Sequence, residues 1–266
     1  MDAADLKAPL PAFALGVVPY RPLQDLQGRL RAAVAAGRCD GVLLLLEHQP
    51  VITLGSRGTV ADLCDPAQVE RAGIQVVRSE RGGAATLHAP GQLVSYPILA
   101  LPRRDLRAYV TALEEVLIQV VSYYGVTASR SATGRRPGLY VGDRKIASIG
   151  LRCERWVASH GTALNVSVDL GLFDLIVSCA EDDLRQTSVL EVAGAAPDME
   201  TILGSYAQQF AVVFGRPVAT PTVAEWTEVE RLLGLQAQQA QEAIGRGLLA
   251  AGVRRERARQ GLRKRQ

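Results

Sequence analysis

The sequence has no apolar run approaching the roughly 20 residues that a membrane-spanning helix needs. It opens Met1-Asp2-Ala3-Ala4-Asp5, acidic where a secretory signal carries basic residues. These two absences lead to the expectation of a soluble, cytoplasmic protein that acts without a membrane. Cysteine is scarce: Cys39, Cys64, Cys153 and Cys179 form no C-x-x-C pair, which argues against a disulfide framework. The three histidines, His48, His88 and His160, have no paired helical spacing, so no metal site is expected. Nucleotide-loop signatures of the G-x-x-x-x-G-K-[ST] and G-x-G-x-x-G kinds are missing. Neither internal repeats nor low-complexity stretches occur between residues 10 and 235.

What is present is an ordinary globular mixture. The chain has 266 residues, 48% hydrophobic and 21% charged, enough apolar mass for a sizeable core. The net charge of +3 is unevenly placed. From Arg246 onward there are eight basic residues and one acid, a net +7, which leaves −4 for the rest. That tail lacks the aromatic interleaving of a nucleic-acid motif, so a solvated end is expected and no nucleic-acid partner.

Four helices follow from period and caps: Pro22 to about Ala36; a second opening at the N-cap Asp105 and stopping at Gly125; a third from Asp198; a fourth from Thr222, where Thr222 and Glu225 have capping-box spacing. Val42–Leu46 reads as a strand covered on both faces. Further strands are expected at Gln75–Arg78, Thr86–His88, Leu93–Ile98, Leu139–Val141, Lys145–Arg152, Trp156–His160 and Ala163–Val168. Hairpins with a few helices imply an α+β fold: a single domain with a mixed, largely antiparallel sheet and flanking helices. The organisation expected is an N-terminal arm over 1–14, a catalytic domain over 15–220 and a helical, basic extension over 221–266.

Four segments stand out chemically. In Arg81-Gly82-Gly83-Ala84-Ala85-Thr86-Leu87-His88, followed by Ala89-Pro90-Gly91-Gln92, paired glycines let the backbone approach a ligand and Pro90-Gly91 forces a turn. An ordinary hairpin explains a bare Gly-Gly equally well. In Gly142-Asp143-Arg144-Lys145, followed by Ile146 to Gly150, Lys145 sits just after a tight turn, where an exposed lysine is the common outcome; Ser148-Ile149-Gly150 then closes the strand with small residues. In His160-Gly161-Thr162-Ala163, His160 is either a base or a core histidine with satisfied hydrogen bonds. In Ser178-Cys179-Ala180, Cys179 ends an apolar stretch at a strand-to-loop exit, where a thiol is either exposed or simply packed.

In this order the segments resemble the lipoyl(octanoyl) transferase family. Its pattern runs R-G-G-x-x-T-x-H-G-P-G-Q, G-D-x-K-I-x-x-I-G, H-G-x-A-L-N-V, P-C-G and T-S. Here these stand as Arg81–Gln92, Gly142–Gly150, His160–Val166, Cys179 and Thr187-Ser188, with Glu47–Gly55 similar to the family's early strand and loop. Two departures are Ala89 for the motif glycine and Ser178-Cys179-Ala180 for Pro-Cys-Gly. The resemblance spans roughly residues 15–215 and implies the fold of the biotin and lipoate ligase catalytic domains. It also implies a cysteine thioester on Cys179 with Lys145 as its catalytic partner, and a substrate pocket lined by Arg81, Gly82, Gly83, Ala84, Ala85, Thr86, Leu87, His88, Ser148, Ile149, Gly150, Gly161, Thr162 and Ala163. The implied donor is octanoyl-acyl carrier protein. The implied acceptors are lysines on the lipoyl domains of 2-oxoacid dehydrogenase E2 subunits and on the glycine cleavage H protein. No cofactor is implied, and a monomer is expected.

Three rivals remain at this stage. An ATP-dependent lipoate or biotin ligase shares the implied fold and uses a lysine without a nucleophilic cysteine. A non-catalytic carrier- or lipoyl-domain binding protein needs no reactive thiol. A Cys–His hydrolase built on Cys179 with His88 or His160 releases free octanoate. Cys153, on a strand, is an alternative thiol whose surroundings read as core.

Overall fold

A computed structural model of the chain describes residues 8–131, 137–177 and 184–233. The segment 178–183, with Cys179, and the tail from 234 lie outside them. In chain order the elements are β1 (Leu10–Val18), α1 (Tyr20–Ala35), β2 (Val42–His48), β3 (Val51–Leu54), α2 (Pro66–Arg71), β4 (Gln75–Arg78), β5 (Ala85–His88), β6 (Gln92–Ala100), α3 (Leu106–Tyr123), β7 (Ser129–Arg130), β8 (Gly138–Val141), β9 (Arg144–Glu154), β10 (Val157–Asn165), α4 (Val189–Ala193), α5 (Met199–Phe214), β11 (Val218–Ala219) and α6 (Val223–Leu233).

Eight strands form one sheet in the order β11-β1-β2-β6-β10-β9-β8-β7. The β11–β1 and β1–β2 pairs are parallel and the others antiparallel. A second sheet, β4-β3-β5, pairs β3 parallel to β4 and antiparallel to β5. The α+β class with a mixed, largely antiparallel sheet is therefore what the chain adopts.

The apolar run in β2 shows why the large sheet carries helices on both faces. Successive strand side chains point to opposite sides. Leu43 and Leu45 pack with α3 and α5 through Leu113, Leu117, Tyr206 and Phe210. Leu44 and Leu46 pack with α1 and α6 through Leu23, Leu26, Trp226 and Val229. A separate cluster under the small sheet joins Ile52, Leu54, Leu87 and Val69 to Phe173, Leu175 and Ile176. Among the described residues, no helix is long and apolar enough to cross a membrane.

The cap signals locate the helices. Asp105 accepts from the Ala108 amide at 2.9 Å and Asp198 from the Thr201 amide at 2.8 Å. Thr222 and Glu225 exchange side-chain and backbone hydrogen bonds as a capping box requires. Where two strands are expected on either side of Gly161, the structure has one, β10. Gly161 is not a break: a Cβ there would overlap the Ser95 carbonyl oxygen on β6. The sequence reading misses β1, because Pro11 and Gly16 interrupt its pattern. Gly16 (φ +66°) sits in the irregularity between Ala14 and Val17. The sheet thus begins at Leu10, inside the segment expected to be an arm, and α6 packs on the core with Trp226 against Phe13, ring centroids 5.3 Å apart.

Candidate active site

The site lies where β5, β9 and β10 bring their small residues together. A pocket there is lined by Arg81 to Thr86, His88, Tyr96, Lys145, Ser148 to Gly150 and His160 to Ala163. Of the residues expected to line it, all but Leu87 do. Leu87 is the exception because its side chain is fully buried in the cluster under the small sheet, on the side away from Thr86 and His88.

The glycine loop is shaped by the arginine that opens it. Arg81 is buried (7% exposed). Its Nη2 donates to the Thr53 carbonyl at 2.6 Å and to the Ala84 carbonyl at 2.8 Å, and its Nη1 donates to the Gly82 carbonyl at 3.0 Å. The guanidinium thus ties the loop to β3 and to itself, with Gly83 at φ +98°. Gly150 faces it across the pocket: a Cβ there would stand 3.2 Å from Arg81 Cδ. Ala89, in place of the motif glycine, is buried under the small sheet and its φ is not positive, so the methyl group brings no backbone strain.

All three histidines gather at the pocket with two tyrosines, and His88, His160 and Tyr96 line it. His48 and His88 have ring centroids 5.5 Å apart, Tyr20 lies 5.1 Å from His48, and Tyr96 lies 5.9 Å from His160. His48 Nδ1 is 3.0 Å from the Val18 carbonyl and therefore donates; Nε2, 3.0 Å from Tyr96 Oη, accepts. Burial holds each imidazole neutral. The His48 pKa falls to about 4, for burial alone outweighs its bond to the Val18 carbonyl. That of His160 falls to about 3, through burial and then Arg81 and Arg31. The His88 pKa is likewise lowered, first by burial, then by its neighbours His48 and Arg81. Groups this reluctant to take a proton are poor bases near neutrality, which weighs against the Cys–His hydrolase. His160 is also strained, at φ +57° within β10, and its backbone amide donates to Gln27 Oε1 at 2.8 Å. Among the described residues, no cluster of His, Cys, Asp and Glu has the arrangement to hold a metal ion.

Lys145 departs most from the common outcome for its residue type. It starts β9 beside a tight turn, yet it is only 2% exposed. Two features hold it inward. Gly138 on β8 leaves room for its stem: a Cβ there would stand 3.0 Å from Lys145 Cε and overlap the Ala147 carbonyl oxygen. The Tyr140 ring lies 5.5 Å from Nζ, within cation–π range. The Lys145 backbone is gripped by a third segment. Its amide donates to the Arg185 carbonyl at 2.8 Å, and its carbonyl accepts from the Thr187 amide at 2.9 Å. This pairing begins six residues after Cys179. On the other side of Cys179, the Val177 amide donates to the Asp62 carbonyl at 2.8 Å. Cys179 itself lies outside the described residues. Of the described thiols, Cys64 is exposed and Cys39 partly buried; burial pushes the Cys153 pKa up, the wrong direction for a nucleophile.

The sequence reading missed Tyr20, Tyr96 and His48, together with the pairing of Arg185–Thr187 to Lys145. The tyrosines carry no local signal, because each reaches the site from a distant segment. The family resemblance pointed toward the other two, since His48 stands in Glu47–Gly55 and Thr187 belongs to the T-S pair.

Residues 19–211 match the lipoyl protein ligase A/B catalytic domain. The chain is 40% identical over 206 residues to the octanoyltransferase of Desulfovibrio desulfuricans, covering 76% of this chain and 86% of that protein. It is 41% identical over 203 residues to that of Solibacter usitatus, covering 75% and 90%. Among solved structures, lipoate-protein ligase A bound with ATP superposes with a TM-score of 0.68 at 14% identity, covering 88% of this chain and 99% of that one. The bi-partite lipoate protein ligase of Thermoplasma acidophilum superposes with a TM-score of 0.63 at 16% identity, covering 86% and 93%. At such identities these two show the fold alone. The chain belongs to the lipoyl protein ligase A/B catalytic-domain family, and within it to the octanoyltransferases.

Proposed function

We propose that this octanoyltransferase takes its acyl group from acyl carrier protein, holds it as a thioester on Cys179, and delivers it in the cytoplasm to a lysine of a lipoyl domain. In the first step the Cys179 thiolate attacks the thioester carbonyl; a new C–S bond forms, the bond to the carrier breaks, and the carrier thiolate leaves and takes up a proton. In the second, the acceptor amine attacks the acyl-cysteine, a C–N bond forms, and the cysteine leaves as thiolate while the amine gives up its proton. Thioester exchange is near energy-neutral and amide formation runs downhill, so neither step calls for ATP.

The observation that carries this reading is the burial of Lys145 against the pocket wall, with its backbone paired to the segment that follows Cys179. An ammonium beside a thiol favours the thiolate, and the same group handles the proton of the incoming amine. The remaining pocket residues, from the Arg81 loop, Ser148 to Gly150 and Gly161 to Ala163, would then enclose the acyl chain. Each methylene that they remove from water contributes about 0.8 kcal/mol.

The test is the intact mass of the full chain after incubation with octanoyl-acyl carrier protein, for wild type, Cys179→Ser and Lys145→Ala. The expected result is a thiol-labile octanoyl adduct on wild type, none on Cys179→Ser, slow loading of Lys145→Ala, and passage of the adduct to a lipoyl-domain lysine. Absence of an adduct on wild type, with ATP-dependent modification by free octanoate instead, would establish a ligase.

A further inference from the structure

A line of buried amides joins the pocket wall to the backbone of Lys145. His88 Nδ1 donates to Gln92 Oε1 at 3.2 Å. Gln92 Nε2 donates to Asn165 Oδ1 at 2.8 Å. Asn165 Nδ2 donates to the Thr187 carbonyl at 2.9 Å. Gln92 and Asn165 are direct partners across β6 and β10, and both are buried. The line ends on the residue whose amide donates to the Lys145 carbonyl. From the far side Thr187 Oγ1 donates to Glu191 Oε2 at 2.8 Å, and Glu191 Oε1 accepts from Arg144 Nη1 at 2.7 Å. The segment Arg185–Thr187 is therefore held on three sides: by Lys145, by Asn165 and by Glu191.

Buried amides cost stability unless every donor and acceptor is matched. An apolar pair at the last rung of an antiparallel ladder would fill the same space. What an apolar pair cannot do is fix a carbonyl from a third segment at a set distance. We propose that Gln92 and Asn165 are positioning residues that hold Arg185–Thr187 on the Lys145 backbone and thereby set Lys145 in relation to Cys179. The inference rests on the reading of Cys179 and Lys145 given above.

The experiment follows the alkylation rate of Cys179 by iodoacetamide against pH in the full-length protein, with the modified peptide identified by mass. The proteins compared are wild type, Lys145→Ala, Asn165→Leu and Gln92→Met. All three substitutions leave position 179 intact, and the last two add no charge. With the lysine removed, the alkylation midpoint should rise by about one pH unit, the usual size of a near-charge effect. Asn165→Leu should move it the same way and slow octanoyl loading at least ten-fold, with KM for the carrier changed less than two-fold. A midpoint unmoved in Lys145→Ala sinks the partnership of Lys145 with Cys179 itself. A midpoint moved there but unmoved in a folded Asn165→Leu overturns the positioning role and leaves the partnership standing. If Asn165→Leu does not fold, Gln92→Met decides: it keeps the side chain's length and removes the amide that donates to Asn165 Oδ1, and an upward shift supports the proposal where an unchanged midpoint overturns it.

Discussion

At the scale of single residues, the site depends on what is small and what is kept neutral. Gly138 is the clearest small residue. Its φ of +138° is one that side-chain-bearing residues rarely adopt, and a methyl group would meet both the Ala147 carbonyl oxygen and the Lys145 stem. Gly138→Ala is expected to destabilise the fold by about 2–3 kcal/mol and to slow acyl loading, measured by denaturant unfolding and by adduct mass. Wild-type loading in that variant would show that Lys145 does not need the space. The neutral groups are His48 and His160. Their folded pKa values, about 4 and about 3, lie below the unfolded value of 6.5, so the unfolded chain binds more protons as the pH falls through 6.5. The stability they contribute is full above that pH and is lost on acidification. At pH 5 each has surrendered about 2 kcal/mol relative to pH 7. Unfolding curves at the two pH values should therefore differ by about 4 kcal/mol from this pair. Equal stabilities would mean that the imidazoles are reached by water.

At the scale of elements, legibility tracked locality. The starts of α3, α5 and α6 were readable because Asp105, Asp198 and Thr222 act within one turn of their own helices. The two-faced burial of β2 was readable because alternation is a local property. What was not readable came from distant neighbours: Gly161 resembles a break until Ser95 is seen beside it, and β1 becomes a strand through β2 and β11. The helix α6 shows where a boundary placed at the end of the family resemblance parts from the packing. Its Trp226 meets Phe13 edge-on, and Val229 joins the same cluster. Trp226→Ala is expected to cost about 3–5 kcal/mol of unfolding free energy. A change within 1 kcal/mol, roughly the scale of a surface substitution, would make α6 an appendage rather than part of the domain.

At the scale of the whole molecule, the fold is shared with enzymes whose chemistry differs, so function has to be argued from the site. The glycine-rich motifs were legible because paired small residues stand out along the chain, and they carried His88 and His160 with them; Tyr20 and Tyr96 were not, because they are ordinary core residues until they are assembled. Charge adds a second feature at this scale. Residues 246–266 carry a net +7, against −4 for the remainder, and they lie beyond the stretch 19–211 that matches the family. Attraction between such a segment and an acidic carrier or lipoyl domain acts over about 10 Å at 0.1 M salt and fades as salt rises. Long-range attraction of this kind speeds encounter and leaves the chemical step alone. Deleting residues 246–266 should therefore raise the apparent KM for the acidic partner at low salt, flatten the dependence of kcat/KM on ionic strength, and leave kcat unchanged. Identical salt profiles for the truncated and full-length proteins would remove the tail from the encounter. A fall in kcat would instead place the tail's action within the catalytic cycle.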